Sequence, residues 1–99
     1  RADGYGQTHL GVNGYYDGTN WVYSSTNYAS RYYQADGAHI FQNASNGTGG
    51  TTISWNESMR ITLGGNVGIG TTNPQSYASY VSLTVGDNSA SKIGLITLS

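Results

Sequence analysis

The chain has 99 residues, a formal net charge of −1 and no cysteine, so disulfides and thiolate metal sites are excluded. Its four basic residues are scattered and are offset by five acidic ones. This distribution leaves no basic stripe for nucleic acid, and no window is apolar enough for a membrane span. Ile, Leu, Val, Phe and Met supply only 18 residues, whereas Tyr occurs nine times and Trp twice. A chain of this composition folds when other copies complete its core, which predicts an oligomer.

The first half of the sequence predicts short strands separated by turns, because Gly recurs too often for a long helix. Residues 8–12 lead into Asn13-Gly14, a pair that favours a tight hairpin turn because both residues tolerate positive φ. Further turns are predicted at residues 17–20 and at Asp36-Gly37. The strands predicted around these turns cover residues 15–16, 21–23, 28–34 and 38–43, and residues 44–50 are predicted to form a polar loop.

The second half shows a more regular alternation. Apolar residues at positions 59, 61 and 63 predict a strand with one buried face, and a turn follows at residues 64–66. Val67 and Ile69 resume the pattern, with Gly68 and Gly70 placed where backbones approach closely, as at a crowded symmetry axis. Further strands are predicted at residues 81–85 and 93–98, the latter with a bulge between Leu95 and Ile96.

Two modules are predicted from this distribution of residues. Residues 1–43 hold nine of the twelve aromatic side chains, so residues 1–58 are predicted to form an aromatic-rich β module that decorates the surface. Residues 59–99 hold most of the aliphatic alternation and are predicted to form a shaft.

A family resemblance lies in the segment MRITLGGNVGIGTTNP, residues 59–74. This segment resembles a motif of bacteriophage tail fibres and tailspikes that stands just upstream of a C-terminal intramolecular chaperone. The run from Tyr15 to Ile61 resembles a module that precedes the motif in fibre-like phage and metagenomic proteins. The GNVGIGTTNP portion is the more specific part of the resemblance.

The resemblance implies an all-β fold in which short strands complete an intertwined homotrimeric fibre of β-prism or β-helix type. Its implied partners are two further copies of the chain, other tail proteins, and a glycan or protein receptor on the bacterial surface. The protein would be a component of the virion, assembled in the host cytoplasm. No chaperone domain is present in this sequence, and Ser99 stands where relatives cut the chaperone off. Self-cleavage at Ser99 is therefore expected, with an arbitrary chain end as the alternative.

Seven aromatic residues of the first half are the candidate receptor-binding or saccharide-binding residues. Aromatic faces stack on sugar rings, and Tyr adds rigid contact area with a polar tip. The alternative is that these rings replace missing aliphatic residues in a core between subunits, and both interpretations stay open. The candidates are Tyr15, Tyr16, Trp21, Tyr23, Tyr28, Tyr32 and Tyr33.

Catalytic and metal sites are not expected from the sequence. His9 and His39 are far apart in the chain and are interpreted as strand residues that bind no metal. Three of the five acidic residues stand in turn contexts, which argues against the carboxylate pair of a glycosidase. Residues 65–70 have the wrong Gly spacing for a phosphate-binding loop. We therefore expect no cofactor, no catalytic residue and no enzymatic activity.

The function predicted from the sequence is attachment of a phage to its bacterial host, through a saccharide or another surface receptor. The first alternative is a purely structural trimerisation or shaft segment. A polysaccharide-depolymerising tailspike is a more distant alternative.

Overall fold

The computed structural model describes residues 7–87 and 94–98. Within these ranges the regular secondary structure consists of β-strands alone, which confirms the prediction of an all-β fold. The strands are β1 (Thr8–Val12), β2 (Gly14–Tyr16), β3 (Trp21–Tyr23), β4 (Asn27–Ala35), β5 (Ala38–Gly47), β6 (Asn56–Ile61), β7 (Val67–Ile69) and β8 (Leu83–Val85).

Six of these strands form one sheet in the order β1-β4-β5-β6-β7-β8, and β2 and β3 form a separate hairpin. Neighbouring strands of the sheet are antiparallel except for β7 and β8, which are parallel. The predicted turn at Asp36-Gly37 joins β4 to β5, and its φ angles of 53° and 79° are those of a tight hairpin turn.

The predicted hairpin at Asn13-Gly14 is replaced by a corner. Asn13 has the expected positive φ of 60°, but β1 pairs with β4 and not with β2. The Asn13 side chain explains the difference, because Nδ2 donates to the carbonyl oxygens of Ser25 and Tyr28, both at 3.0 Å. Oδ1 accepts the Ser25 amide at 2.9 Å. These bonds tie the corner to the connection between β3 and β4, so the chain leaves the sheet and forms the β2–β3 hairpin above it.

Strand β5 continues to Gly47, so the polar loop predicted at residues 44–50 is shorter than expected. Small residues are needed here because the hairpin packs on this end of the sheet. Ala44 pairs with Ala29 and both are buried, and the Tyr23 ring lies directly over Gly47. Gly47 is therefore required in this segment, because the Tyr23 ring occupies the space that a side chain there would fill.

The second half follows the predicted order of strand, turn and strand. Strand β6 crosses the predicted boundary between residues 58 and 59, so one sheet contains strands from both predicted modules. Residues 94–98 form no strand, and residue 93, where a strand was predicted to begin, lies outside the described residues.

The core lies on one face of the sheet, beneath the β2–β3 hairpin. Trp21 and Trp55 pack against it while remaining half-buried, and no described side chain is fully buried. The buried apolar residues are Val22, Tyr23, Ala29, Ile40, Ala44 and Ile53. This small core covers only part of one sheet face.

Candidate functional site: an open sheet face and an aromatic groove

The opposite face of the six-stranded sheet carries a continuous row of apolar side chains. Residues paired directly across neighbouring strands share a face, so the strand register defines the row. One residue comes from each strand, in the order Leu10, Tyr32, Phe41, Met59, Ile69 and Val85. With strands about 4.8 Å apart, the row is about 24 Å long. We call this side of the sheet the open face.

A second row on the open face is apolar in its β6–β8 half. There Ile61, Val67 and Leu83 are neighbours in register. Neither row contains Asp, Glu, Lys or Arg. Leu10 is 74% exposed, Leu83 59% and Ile69 41%, so much of the open face is not covered by other described residues. An apolar patch of this extent usually marks an interface.

In its β4–β5 half the second row is polar, because it consists of Gln34 and His39, which are neighbours in register. Both of these side chains contact the hydroxyl of Tyr32 in the first row. The Tyr32 hydroxyl lies 2.6 Å from Nδ1 of His39, and Gln34 donates from Nε2 to the same hydroxyl at 3.0 Å. The Tyr32 ring also contacts Phe41, with ring centroids 4.8 Å apart. His39 is therefore an exposed strand residue that orients Tyr32.

An arginine surrounded by aromatic rings lies on the side of the sheet that the β2–β3 hairpin covers, which we call the covered face. The Arg31 guanidinium stands 4.4 Å from the Trp55 ring centroid, 4.8 Å from that of Tyr33 and 4.9 Å from that of Trp21. Its Nε donates to Oε1 of Gln42 at 2.7 Å. Burial among the rings lowers the pKa of Arg31 from its ordinary value, although an arginine remains charged in such a site. Among the described residues, three aromatic rings and the Gln42 amide surround the guanidinium, and cation–π contacts stabilise its charge.

A groove of about 410 Å³ lies between β1 and the β2–β3 hairpin. Its lining comes from His9, Leu10 and Gly11 of β1 together with Gly14, Tyr15, Tyr16 and Trp21 of the hairpin. We call it the aromatic groove. Among the residues that the structure describes, its lining includes no Asp, Glu, Lys or Arg.

Three of the seven aromatic candidates meet in this groove. Tyr15 is 48% exposed, while Tyr16 and Trp21 are half-buried. Tyr16 and Trp21 face each other across the hairpin, with ring centroids 6.2 Å apart.

The other four candidates lie apart from the groove. Tyr32 belongs to the open face, and the 68% exposed Tyr28 lines a hollow with Val12 at one end of that face. Tyr23 is buried and donates from its hydroxyl to the Ser45 carbonyl oxygen at 2.6 Å. Tyr33 lies on the covered face, where its ring stacks on His9 at 4.8 Å. The seven aromatic residues therefore divide among three environments.

The carboxylates of Asp17 and Glu57 serve local structure. Backbone hydrogen bonds from Asn20 and Thr19 lower the pKa of Asp17, whose Oδ1 accepts both amides at 2.8 Å. Glu57 accepts two hydrogen bonds from Arg60, at 2.7 and 2.8 Å, and this pairing raises the pKa of Arg60.

The described residues hold neither a cluster of metal ligands nor a helix that could span a membrane. Residues 7–87 and 94–98 contain no group of three or more His, Asp or Glu side chains arranged to hold a metal ion. Over the same ranges, no helix has the length and hydropathy needed to cross a membrane. Asp3 and Ser99, the expected cleavage junction, lie outside the described residues.

Three residues of these sites were not predicted from the sequence, namely Gly11, Arg31 and Trp55. Arg31 stands two residues before Tyr33 in β4, and this spacing places both side chains on one face of the strand. That spacing could have indicated a contact between the guanidinium and the Tyr33 ring. Gly11 lies beside the Trp21 ring because the chain turns a corner at Asn13, and no local sequence pattern specifies that corner.

No protein-family model, curated protein or solved structure matches this chain.

Proposed function

We propose that this chain is a segment of a homotrimeric bacteriophage tail fibre or tailspike that attaches the virion to a bacterial host. The observation that carries the proposal is the open face, supported by the resemblance of residues 59–74 to the fibre motif. Two further copies of the chain are the proposed partners along this face.

The energetics of the single chain support association. The core contains only six buried apolar residues, and each of them keeps 4–6% of its surface exposed. Such a core offsets little of the conformational entropy that folding removes. Covering the open face would bury Leu10, Phe41, Ile69 and Leu83 further, and each fully buried side chain of this kind contributes about 1.5–3 kcal/mol. Further copies of the chain are suitable partners for the open face, because its two rows contain no charged residue that a partner would have to neutralise.

The purely structural shaft is the alternative that the open face also supports. The aromatic groove favours attachment over this alternative, because a shaft needs no concave aromatic surface. Asp17 caps a turn and Glu57 pairs with Arg60, so neither of these two residues supports the carboxylate pair of a depolymerase.

Sedimentation equilibrium and cell binding test this proposal together. We expect the chain to sediment as a trimer at micromolar concentration, and the labelled trimer to bind some strains in a panel of bacterial isolates. A folded monomer would contradict the trimer. A trimer that binds no strain, and that does not compete with phage adsorption to any of them, would favour the shaft.

A further inference from the structure

The aromatic groove has the form of a small binding site. Its volume of about 410 Å³ falls within the range of about 300–1,000 Å³ that is typical of small-molecule sites. We propose that it binds one neutral hexopyranose ring of an oligosaccharide, with Trp21 as the floor. This inference rests on the attachment function proposed above and names the surface that performs it.

The floor of the groove is held in place by four side chains. The Trp21 ring centroid lies 5.0 Å from that of His9 and 6.3 Å from that of Trp55, which meets it edge-on. Tyr16 packs at 6.2 Å, and the Arg31 cation lies 4.9 Å from the ring. Because its orientation is fixed before a ligand arrives, Trp21 loses little conformational freedom on binding.

Gly11 keeps the space beside Trp21 open. A Cβ at Gly11 would lie 3.9 Å from Cζ3 of Trp21, so a larger residue at this position would cover part of the indole. Gly14 instead backs onto the core, since a Cβ there would lie 3.0 Å from Cδ1 of Ile53. Gly in a strand commonly marks a place where a ligand or another backbone approaches closely.

The lining favours a neutral sugar over a charged ligand. None of the described residues that line the groove is Asp, Glu, Lys or Arg, so these residues offer a charged ligand no ion pair in return for the hydration that it would lose. A hexopyranose has an apolar C–H face that packs on an aromatic ring and a rim of hydroxyl groups. Tyr15 and Tyr16 supply aromatic area with hydroxyl tips, which match both parts of such a ring.

Tryptophan fluorescence and an oligosaccharide panel test the inference. The full chain is titrated with neutral probes (maltotriose, cellotriose, galactotriose and mannotriose) and with two acidic probes (trigalacturonic acid and sialyllactose). We expect at least one neutral probe to change the fluorescence saturably at up to millimolar concentration, because Trp21 forms the floor. The acidic probes are expected to bind more weakly.

Variants locate the site. A Cβ at Gly11 would lie 3.5 Å from Cβ of Arg31, an ordinary contact, so Gly11→Ala should fold normally while narrowing the groove. We expect Gly11→Ala and Tyr15→Ala each to weaken binding about tenfold, which corresponds to the loss of one good aromatic contact. Tyr80→Ala is the matched control, because Tyr80 is 64% exposed and does not line the groove.

The outcomes separate this inference from the proposed function. No binding of any neutral probe, stronger binding of the acidic probes, or equal weakening by Tyr80→Ala would overturn the groove as a neutral-sugar site. Sedimentation of the same samples reports on the trimer independently. A trimer that fails these binding tests leaves the trimeric fibre intact, whereas a monomer that passes them keeps the groove and rejects the trimer.

Discussion

At Gly68 the backbone of β7 passes against the segment that follows it. A Cβ at this position would lie 2.9 Å from the Thr71 carbonyl oxygen, 3.0 Å from its Cγ2 and 3.3 Å from Cβ of Pro74. Crowding at Gly68 was predicted from the sequence as an approach of backbones at a symmetry axis. In the structure, Gly68 is approached by Thr71 and Pro74 of its own chain. Gly70 is required for a different reason, since its φ is +74°.

Replacement of Gly68 should therefore destabilise the fold itself. We expect Gly68→Ala to lower the free energy of unfolding by about 1–3 kcal/mol per chain, because the methyl group must displace the Thr71 backbone. The measurement is the melting temperature followed by circular dichroism. Gly64→Ala is the control, since its Cβ would lie 3.9 Å or more from any neighbour. Equal melting curves for the two variants would show that the 71–74 segment moves aside without cost.

Strands β6 and β7 could be predicted because alternation and turn residues agree there, whereas the strand predicted at residues 93–98 is not found in residues 94–98. Met59, Ile61, Val67 and Ile69 share the open face as their period of two requires, while Leu63 lies beyond β6 and is 79% exposed. The parallel pairing of β7 with β8 was not predictable from the sequence. It depends on the long connection at residues 70–82, which carries no periodic pattern.

In the first half, local patterns predicted where the strands lie but not which strands pair. Asn13-Gly14 carries a hairpin signal, yet the hydrogen bonds from Asn13 to Ser25 and Tyr28 turn the chain away from β1. Such bonds join residues far apart in sequence, so no local rule detects them. The same limit applies to the aromatic groove, since the sequence identified Tyr15, Tyr16 and Trp21 as candidates but could not show that they meet.

The open face leads to a prediction about association. Ile69 is 41% exposed in the single chain, so Ile69→Asp should leave β7 folded. In an assembled trimer the new carboxylate would be buried against apolar side chains, at a cost of several kcal/mol per chain. We expect this variant to sediment as a folded monomer.

Ser54→Asp provides the matched control for Ile69→Asp. Ser54 is exposed and lies outside the open face, so the variant adds the same charge and should remain a trimer. A trimeric Ile69→Asp chain with unchanged melting behaviour would show that the open face is not the contact surface. Two monomeric variants would indicate an effect of net charge alone.

For the molecule as a whole, the small core predicts that stability depends on concentration. Association stabilises the folded state by mass action, so the melting temperature of a trimer rises with protein concentration. Three chains of 99 residues have an unfolding entropy of about 0.6 kcal/mol/K near 60 °C. Two association steps per trimer then give a rise of about 5 °C for each tenfold increase in concentration.

Differential scanning calorimetry between about 1 and 100 μM measures this dependence. The same scans on Ile69→Asp should show a lower melting temperature that is independent of concentration, because a monomer has no association step. A concentration-independent wild-type transition would mean that the core around Tyr23, Ile40 and Ile53 stabilises the single chain without partners. The open face would then require another occupant, and the exposed fractions of Leu10 and Leu83 would describe the molecule in solution.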